Sequence, residues 1–174
     1  MRQSSNNAFE ALALPELGAV FRVARRLTRN EAEAEDLVQE TYLKAHKAFA
    51  SFQLQEFGIR PWLLRILNNS FLNRVARERR APRSTDHEFL ESLESAEGSP
   101  ASAGGLDFDL LDDEVKAAIE NLQPEFRCVL LLWATMEYSY QEIADIIEVP
   151  IGTVMSRLHR AKRLMAETLR VYGQ

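Results

Sequence analysis

Apolar residues recur at helical spacing in the two halves of this chain, and strand-like alternation is weak throughout. In the first half, Asn30 precedes "EAEAEDLVQETYLKAHKAF", with Glu33 three residues on, the arrangement of a capping box at a helix start. On a 3.6-residue wheel, Ala34, Leu37, Val38, Thr41, Ala45, Ala48 and Phe49 share one side, which predicts the core-facing stripe. Asp36, Gln39, Glu40, Leu43 and Lys47 share the other. A polar outer stripe is usually a solvated face, but Leu43 places a large apolar residue in its middle.

A further helix is expected from near Pro61, a residue suited to the first helical turn, through "PWLLRILNNSFLNRVARERR". Leu64, Leu67, Phe71 and Val75 form its core line, while Trp62, Arg65, Asn69, Asn73 and Arg80 project the opposite way with Arg77 at the flank. Between Arg74 and Arg83 there are five Arg against one Glu. Asparagine amides can donate to and accept from base edges, and arginine can neutralise phosphates. Trp62 suits either stacking on an unpaired base or burial in the core.

The second half opens with an amphipathic segment carrying Val115, Ala118, Ile119 and Leu122. Pro124 restarts the chain, and "FRCVLLLWA" is apolar nearly all round, as a buried central helix would be. A short helix over Gln141 to Ile147, with Ile143, Ile146 and Ile147 inward, is followed by the turn "EVP", with Pro150 suited to the first position of a last helix. There Ile151, Val154, Leu158, Ala161 and Met165 form the inner stripe, and Gly152, Ser156, His159, Arg160 and Arg163 point outward, with Thr153 and Met155 on the shoulders. Two helices joined by such a turn, the second presenting short polar and cationic side chains, match a helix-turn-helix.

Charge sharpens the division. The formal net charge is −5, yet the segment from Ser84 to Val115 holds ten acidic residues and no Lys or Arg, so the remainder carries 21 basic against 16 acidic residues. That segment also contains "GSPASAGG" and only a short apolar pattern around Phe89–Leu93, the composition of a flexible acidic linker. The expected architecture is therefore all-α: two small helical domains, 9–83 and 113–172, joined by a flexible acidic linker over 84–112.

The candidate chemistry points away from catalysis. His46, His87 and His159 are far apart without metal-ligand spacing, and no nucleophilic triad is visible. The single cysteine, Cys128, lies in the apolar helix and excludes an internal disulfide. No metal or cofactor is expected. The longest apolar run, Cys128 to Ala134, is far short of the roughly 20 residues that span a bilayer, and "MRQSSNNAFEALALPEL" lacks the apolar core of a signal peptide. A cytoplasmic protein with no membrane insertion is expected.

The segments "AEDLVQETYLKAHKAF", "RPWLLRILNNSFLNRVARER", "LQPEFRCVLLL" and "YSYQEIADIIEVPIGTVMSRLHRAKRLM", in this order around an acidic linker, closely resemble a bacterial RNA polymerase sigma factor of the extracytoplasmic-function (ECF) type, of the sigma-70 superfamily. The resemblance covers nearly the whole chain. It implies a region 2 domain that binds the polymerase clamp and opens the −10 element, and a region 4 domain that reads the −35 element and touches the polymerase flap. Carried over by motif, Asp36, Gln39, Glu40, Leu43 and Lys47 form the clamp-binding face, giving Leu43 a role. The loop "SFQLQEFG", Ser51 to Gly58, matches the segment that captures a flipped −10 base, and Trp62, Arg65, Asn69, Asn73, Arg77 and Arg80 face the −10 strand. Thr153, Ser156, Arg157, His159 and Arg160 match the recognition helix, with Lys162 and Arg163 meeting phosphates. Many relatives carry Lys or Arg where this chain has Met155, so one cationic contact is missing. The resemblance further implies an anti-sigma factor as partner, besides core RNA polymerase and promoter DNA, and a monomer when free. The alternative is a stand-alone helix-turn-helix regulator, which predicts a dimer bound tightly to a palindrome.

Overall fold

A computed structural model describes residues 2–28, 30–53, 58–80 and 110–172. Eight α-helices and no strand occur among these described residues: α1 (Arg2–Ala13), α2 (Leu17–Leu27), α3 (Glu31–Ala48), α4 (Arg60–Arg80), α5 (Asp113–Glu120), α6 (Pro124–Met136), α7 (Tyr140–Ile147) and α8 (Ile151–Tyr172). The chain divides into two compact units, the first Met1–Phe71 with Ile146–Glu148, the second Leu72–Asp145 with Val149–Gln174, so that one division falls inside α4.

In the first unit, Pro15 sits in a single 3-10 turn, Leu14–Glu16, that separates α1 from α2. Proline has no N–H to continue a helical ladder, so the chain turns there. The end of α1 is tied down from a distance: the Tyr42 hydroxyl donates to the Ala13 carbonyl at 2.9 Å, satisfying one acceptor that the helix leaves open. Burial, with a smaller contribution from the Glu16 charge, pushes the Tyr42 phenol up to about 12.

The start of α3 follows from Asn30, whose side-chain oxygen accepts from the Glu33 N–H at 2.9 Å, as its side-chain amide donates to the Glu33 carboxylate at 2.8 Å. The reciprocal pairing expected of a capping box is present, with the asparagine amide in place of the backbone N–H as the second donor. Ala34, Leu37, Val38, Thr41 and Ala45 are buried as the wheel requires, and the Thr41 hydroxyl is spent on the Leu37 carbonyl at 2.7 Å. Ala48 departs from the expected stripe and is exposed, because α3 ends there and a 3-10 turn, Phe49–Ser51, leads the chain away. Gly58, at φ 75°, supplies the left-handed turn before α4. Leu63, Leu64, Leu67 and Phe71 of α4 are buried, as are Val20, Val23 and Leu27 of α2, and Val75 is half-buried.

The second unit has α6 at its centre, with Phe126 through Leu132 and Ala134 buried. One of these is Arg127, only 6% exposed, whose guanidinium donates from Nη2 to the carbonyls of Glu120 and Leu122 at the end of α5. Its charge enters the interior because the carbonyls a helix end leaves unpaired are waiting there. Burial also drives the Cys128 thiol up to about 12, so it stays protonated. Both turns that end α6 and α7 use a non-glycine residue in the left-handed region, Glu137 at φ 56° and Glu148 at φ 57°.

The linker 84–112, including the short apolar pattern at Phe89–Leu93, lies outside the described residues save for its last three positions. Among the described residues no helix is long and apolar enough to cross a membrane.

Candidate nucleic-acid and partner interfaces

The hairpin of α7 and α8 is fixed by local chemistry at three points. Ser139 caps α7: its hydroxyl accepts from the Glu142 N–H at 3.3 Å, and the Glu142 carboxylate takes the Ser139 N–H at 2.8 Å, a capping box that the sequence reading passed over. At the other end of α7, the Val149 N–H reaches back to the Ala144 carbonyl at 3.1 Å across left-handed Glu148, the hydrogen bond of a Schellman turn. Pro150 stands one residue before α8 instead of at its first position, and its carbonyl accepts from Val154 at 3.3 Å.

This turn sets which face of α8 meets solvent. Val154, Leu158 and Ala161 are buried and Met165 is half-buried, as expected. Ile151, expected inside, is 43% exposed. Side chains on a helix lean towards its N-terminus, so the first residue of α8 overhangs the turn instead of lying on a neighbouring helix. Gly152, Met155, His159, Lys162 and Arg163 are exposed, while Thr153, Ser156, Arg157 and Arg160 are half-buried. The Ser156 hydroxyl donates to the Thr153 carbonyl at 3.1 Å, a bond that a rotation of the hydroxyl can exchange for another acceptor. Across its 22 residues α8 carries Arg157, Arg160, Lys162, Arg163 and Arg170 against one acid, Glu167, which lies 3.6 Å from Arg163. No acid occupies its first turn. The surface is therefore cationic along its length and polar at the end that a major groove admits.

On α4 the expected outward line is present: Asn69, Asn73, Arg77 and Arg80 are exposed, and Arg65 is half-buried. Trp62 takes neither of the two extremes that its sequence allows. It is half-buried, with its ring 4.7 Å from that of Phe52, which stacks in turn on Phe49 at 5.7 Å, and Phe49 meets Phe9 at 5.2 Å. Sequence reasoning missed this aromatic row; the i,i+3 spacing of Phe49 and Phe52 was its one local signal. The doubled asparagine splits: Asn69 faces solvent, whereas Asn68 is 4% exposed and its Oδ1 has no hydrogen-bond partner among the described residues. Of the loop Ser51 to Gly58, positions 54–57 lie outside the described residues.

The outer stripe of α3 stands as read, with Asp36, Gln39, Leu43 and Lys47 exposed and Glu40 half-buried. Leu43 is 57% exposed, and Leu14 and Leu17 are also exposed large apolar residues. Glu40 pairs with Lys44 at 2.6 Å, and Lys44 also donates to the Ser70 hydroxyl at 3.0 Å, which links α3 to α4. Beside the stripe, Leu17, Gly18, Phe21, Glu35, Val38, Gln39 and Tyr42 line an open, largely apolar groove of about 540 Å³ between α2 and α3. An exposed leucine between charged neighbours, next to an apolar groove, is a surface suited to another protein's helix. Among the described residues no group of three or more His, Cys, Asp or Glu could hold a metal ion.

Two family descriptions match the chain, "Sigma-70 region 2" over residues 12–81 and "Sigma-70, region 4" over residues 112–165. Similar proteins include the ECF RNA polymerase sigma factor EcfG of Rhodopseudomonas palustris, 34% identical over 92% of this chain and 83% of that protein. The ECF RNA polymerase sigma factor SigE of Mycolicibacterium smegmatis is 30% identical over 96% of this chain, which spans 63% of that relative's length. Among solved structures, the sigma factor RpoE in complex with the anti-sigma factor NepR from Bartonella quintana superposes with a TM-score of 0.69 at 32% identity, covering 94% of this chain and 98% of that one.

Proposed function

Since the chain belongs to the ECF group of sigma-70 factors, which are not enzymes and direct RNA polymerase to promoters, we propose how its surfaces divide that task. Residues 9–83 act as region 2 and residues 113–172 as region 4, with 84–112 as the tether between them. The outer stripe of α3, Asp36, Gln39, Glu40, Leu43 and Lys47, docks on the polymerase clamp, with Leu43 as the apolar anchor. The outward line of α4, Trp62, Arg65, Asn69, Asn73, Arg77 and Arg80, holds the opened −10 strand: arginines neutralise phosphates, and the exposed amides reach unpaired bases. Thr153, Ser156, Arg157, His159 and Arg160 of α8 read the −35 duplex, and Lys162 and Arg163 meet its phosphates.

The observation that carries this reading is the solvent face of α8, five Lys and Arg against one Glu on the second helix of a helix-turn-helix. Neither small unit has to bind DNA tightly alone, since the polymerase fixes the spacing at which both engage. The free protein is accordingly a cytoplasmic monomer that binds duplex DNA weakly, with an affinity that falls steeply with salt. An anti-sigma factor is the expected regulator, because the similar RpoE was solved in complex with one.

The test is co-elution with bacterial core RNA polymerase, comparing wild type with a Glu40→Arg, Leu43→Glu double variant shown to be folded. Wild type co-elutes and the variant does not, and wild-type holoenzyme alone supports promoter-dependent run-off transcription. A wild type that stays free of polymerase and binds a DNA palindrome as a dimer would replace this reading with the stand-alone regulator.

A further inference from the structure

One cation on α8 is held differently from its neighbours. The Lys162 ammonium sits over the ring of Trp133 on α6, 3.7 Å from the ring centroid. Arg163, next in sequence, faces the Glu167 carboxylate instead. The two arrangements differ in what they leave for a ligand. A carboxylate fixes a cation and cancels much of its field, whereas an aromatic face fixes it by its quadrupole and leaves the net charge intact. Among the described residues no carboxylate pairs with Lys162, and its ammonium rests on the uncharged Trp133 ring.

On the helical wheel Lys162 falls on the shoulder of α8, on the flank shared by Met155 and Ile151, while Ser156, Arg160 and Arg163 centre the outward face. A shoulder position reaches the phosphate wall of a groove more readily than its floor. Lysine is the side chain with most rotamer freedom to lose when it binds, so a contact that orders it beforehand lowers the cost of binding. Burial also lowers the Lys162 pKa, as expected of an ammonium that has exchanged part of its water for a ring, and a phosphate would restore a partner of opposite charge.

We propose that Trp133 is a positioning residue for DNA binding, its indole holding the Lys162 ammonium in place, uncancelled, for a backbone phosphate beside the −35 contacts. This rests on the reading of α8 as the DNA-facing helix. The half-buried indole on α6 thus serves α8 as well as the core.

The experiment is a double-mutant cycle on the full chain with a short mixed-sequence DNA duplex across a salt series, since phosphate contacts do not depend on sequence. Trp133→Leu is expected to weaken binding roughly two- to fivefold, the range that an exposed cation–π contact supports, and Trp133→Phe to retain most of the affinity. Lys162→Met is expected to weaken binding and lower the salt slope by about one. In the Lys162→Met background, Trp133→Leu adds no further loss. Thermal unfolding of each variant identifies any that are not folded, and Trp133→Phe keeps the test open if Trp133→Leu is one of them. An equal Trp133→Leu loss with and without Lys162 assigns the indole to packing alone and overturns the proposal, as does unchanged binding by Lys162→Met. A wild type without salt-dependent binding removes the underlying reading of α8 itself.

Discussion

Arg127→Ala removes the one arginine buried among the described residues, and its effect can be worked from the contacts it breaks. The guanidinium covers the carbonyls of Glu120 and Leu122, the latter at 2.9 Å. A hydrogen bond to a charged group contributes about 1.5–3 kcal/mol, and truncation also empties the volume of the stem. Water reaching the freed carbonyls offsets part of this, which leaves a net loss of about 2–4 kcal/mol. Helices α5 to α8 fall within residues 110–172. At 0.05–0.15 kcal/mol per residue, a unit of that size holds roughly 3–9 kcal/mol of stability in all. The variant therefore stands close to global unfolding of the second unit while the first is untouched. The two tryptophans separate the units, Trp62 reporting on the first and Trp133 on the second. Urea unfolding followed by fluorescence in a Trp62→Phe background should show the Trp133 transition moved down by roughly 2–4 M, given a slope near 1 kcal/mol/M for so small a unit. Arg127→Met is the discriminating control, since it keeps the stem and loses the donors. If Arg127→Met unfolds at the wild-type midpoint, the carbonyl contacts contribute nothing and the reasoning is refuted.

Asn30→Ala should cost about 1 kcal/mol by removing the cap of α3, lowering the melting temperature of the first unit by several degrees in a thermal scan. Glu137→Gly should stabilise the second unit by about 0.5–1 kcal/mol, because glycine adopts the left-handed turn without steric cost; a lower urea midpoint would contradict this. The Cys128 thiol is held at about 12, above its ordinary value of 9.0, so the folded state retains a proton that the unfolded state releases. Stability from this group is full below pH 9 and falls as pH rises towards 12, and Cys128→Ala should flatten that decline in alkaline urea titrations. Arg160→Ala should lower transcription from a −35-dependent promoter while leaving co-elution with polymerase unchanged, which separates DNA reading from polymerase docking.

Much of the fold was legible because its information is local. The cap at Asn30, the break at Pro124 and the 3.6-residue stripes of α3 and α8 are set by residues within a turn or two of each other, and each stands where the spacing placed it. The outward lines of α3 and α4 were legible for the same reason, since a helix with one buried stripe has its opposite face determined. Positions at helix ends were not. Ala48 and Ile151 obey the periodicity of their helices and still face solvent, because a wheel assumes a neighbour along the whole length and the neighbour stops short at the ends.

The sequence by itself therefore determined an all-helical chain with two cationic helical faces and a polar stripe interrupted by Leu43. Only the tertiary structure decided which half of the Asn68–Asn69 pair is buried, that Trp62 leans on an aromatic row, that Arg127 enters the core, and that Lys162 rests on Trp133. Each of these depends on a partner from a different element or on the far side of a turn. Periodicity along one helix says which way a side chain points, but what it meets there is fixed only when the helices pack.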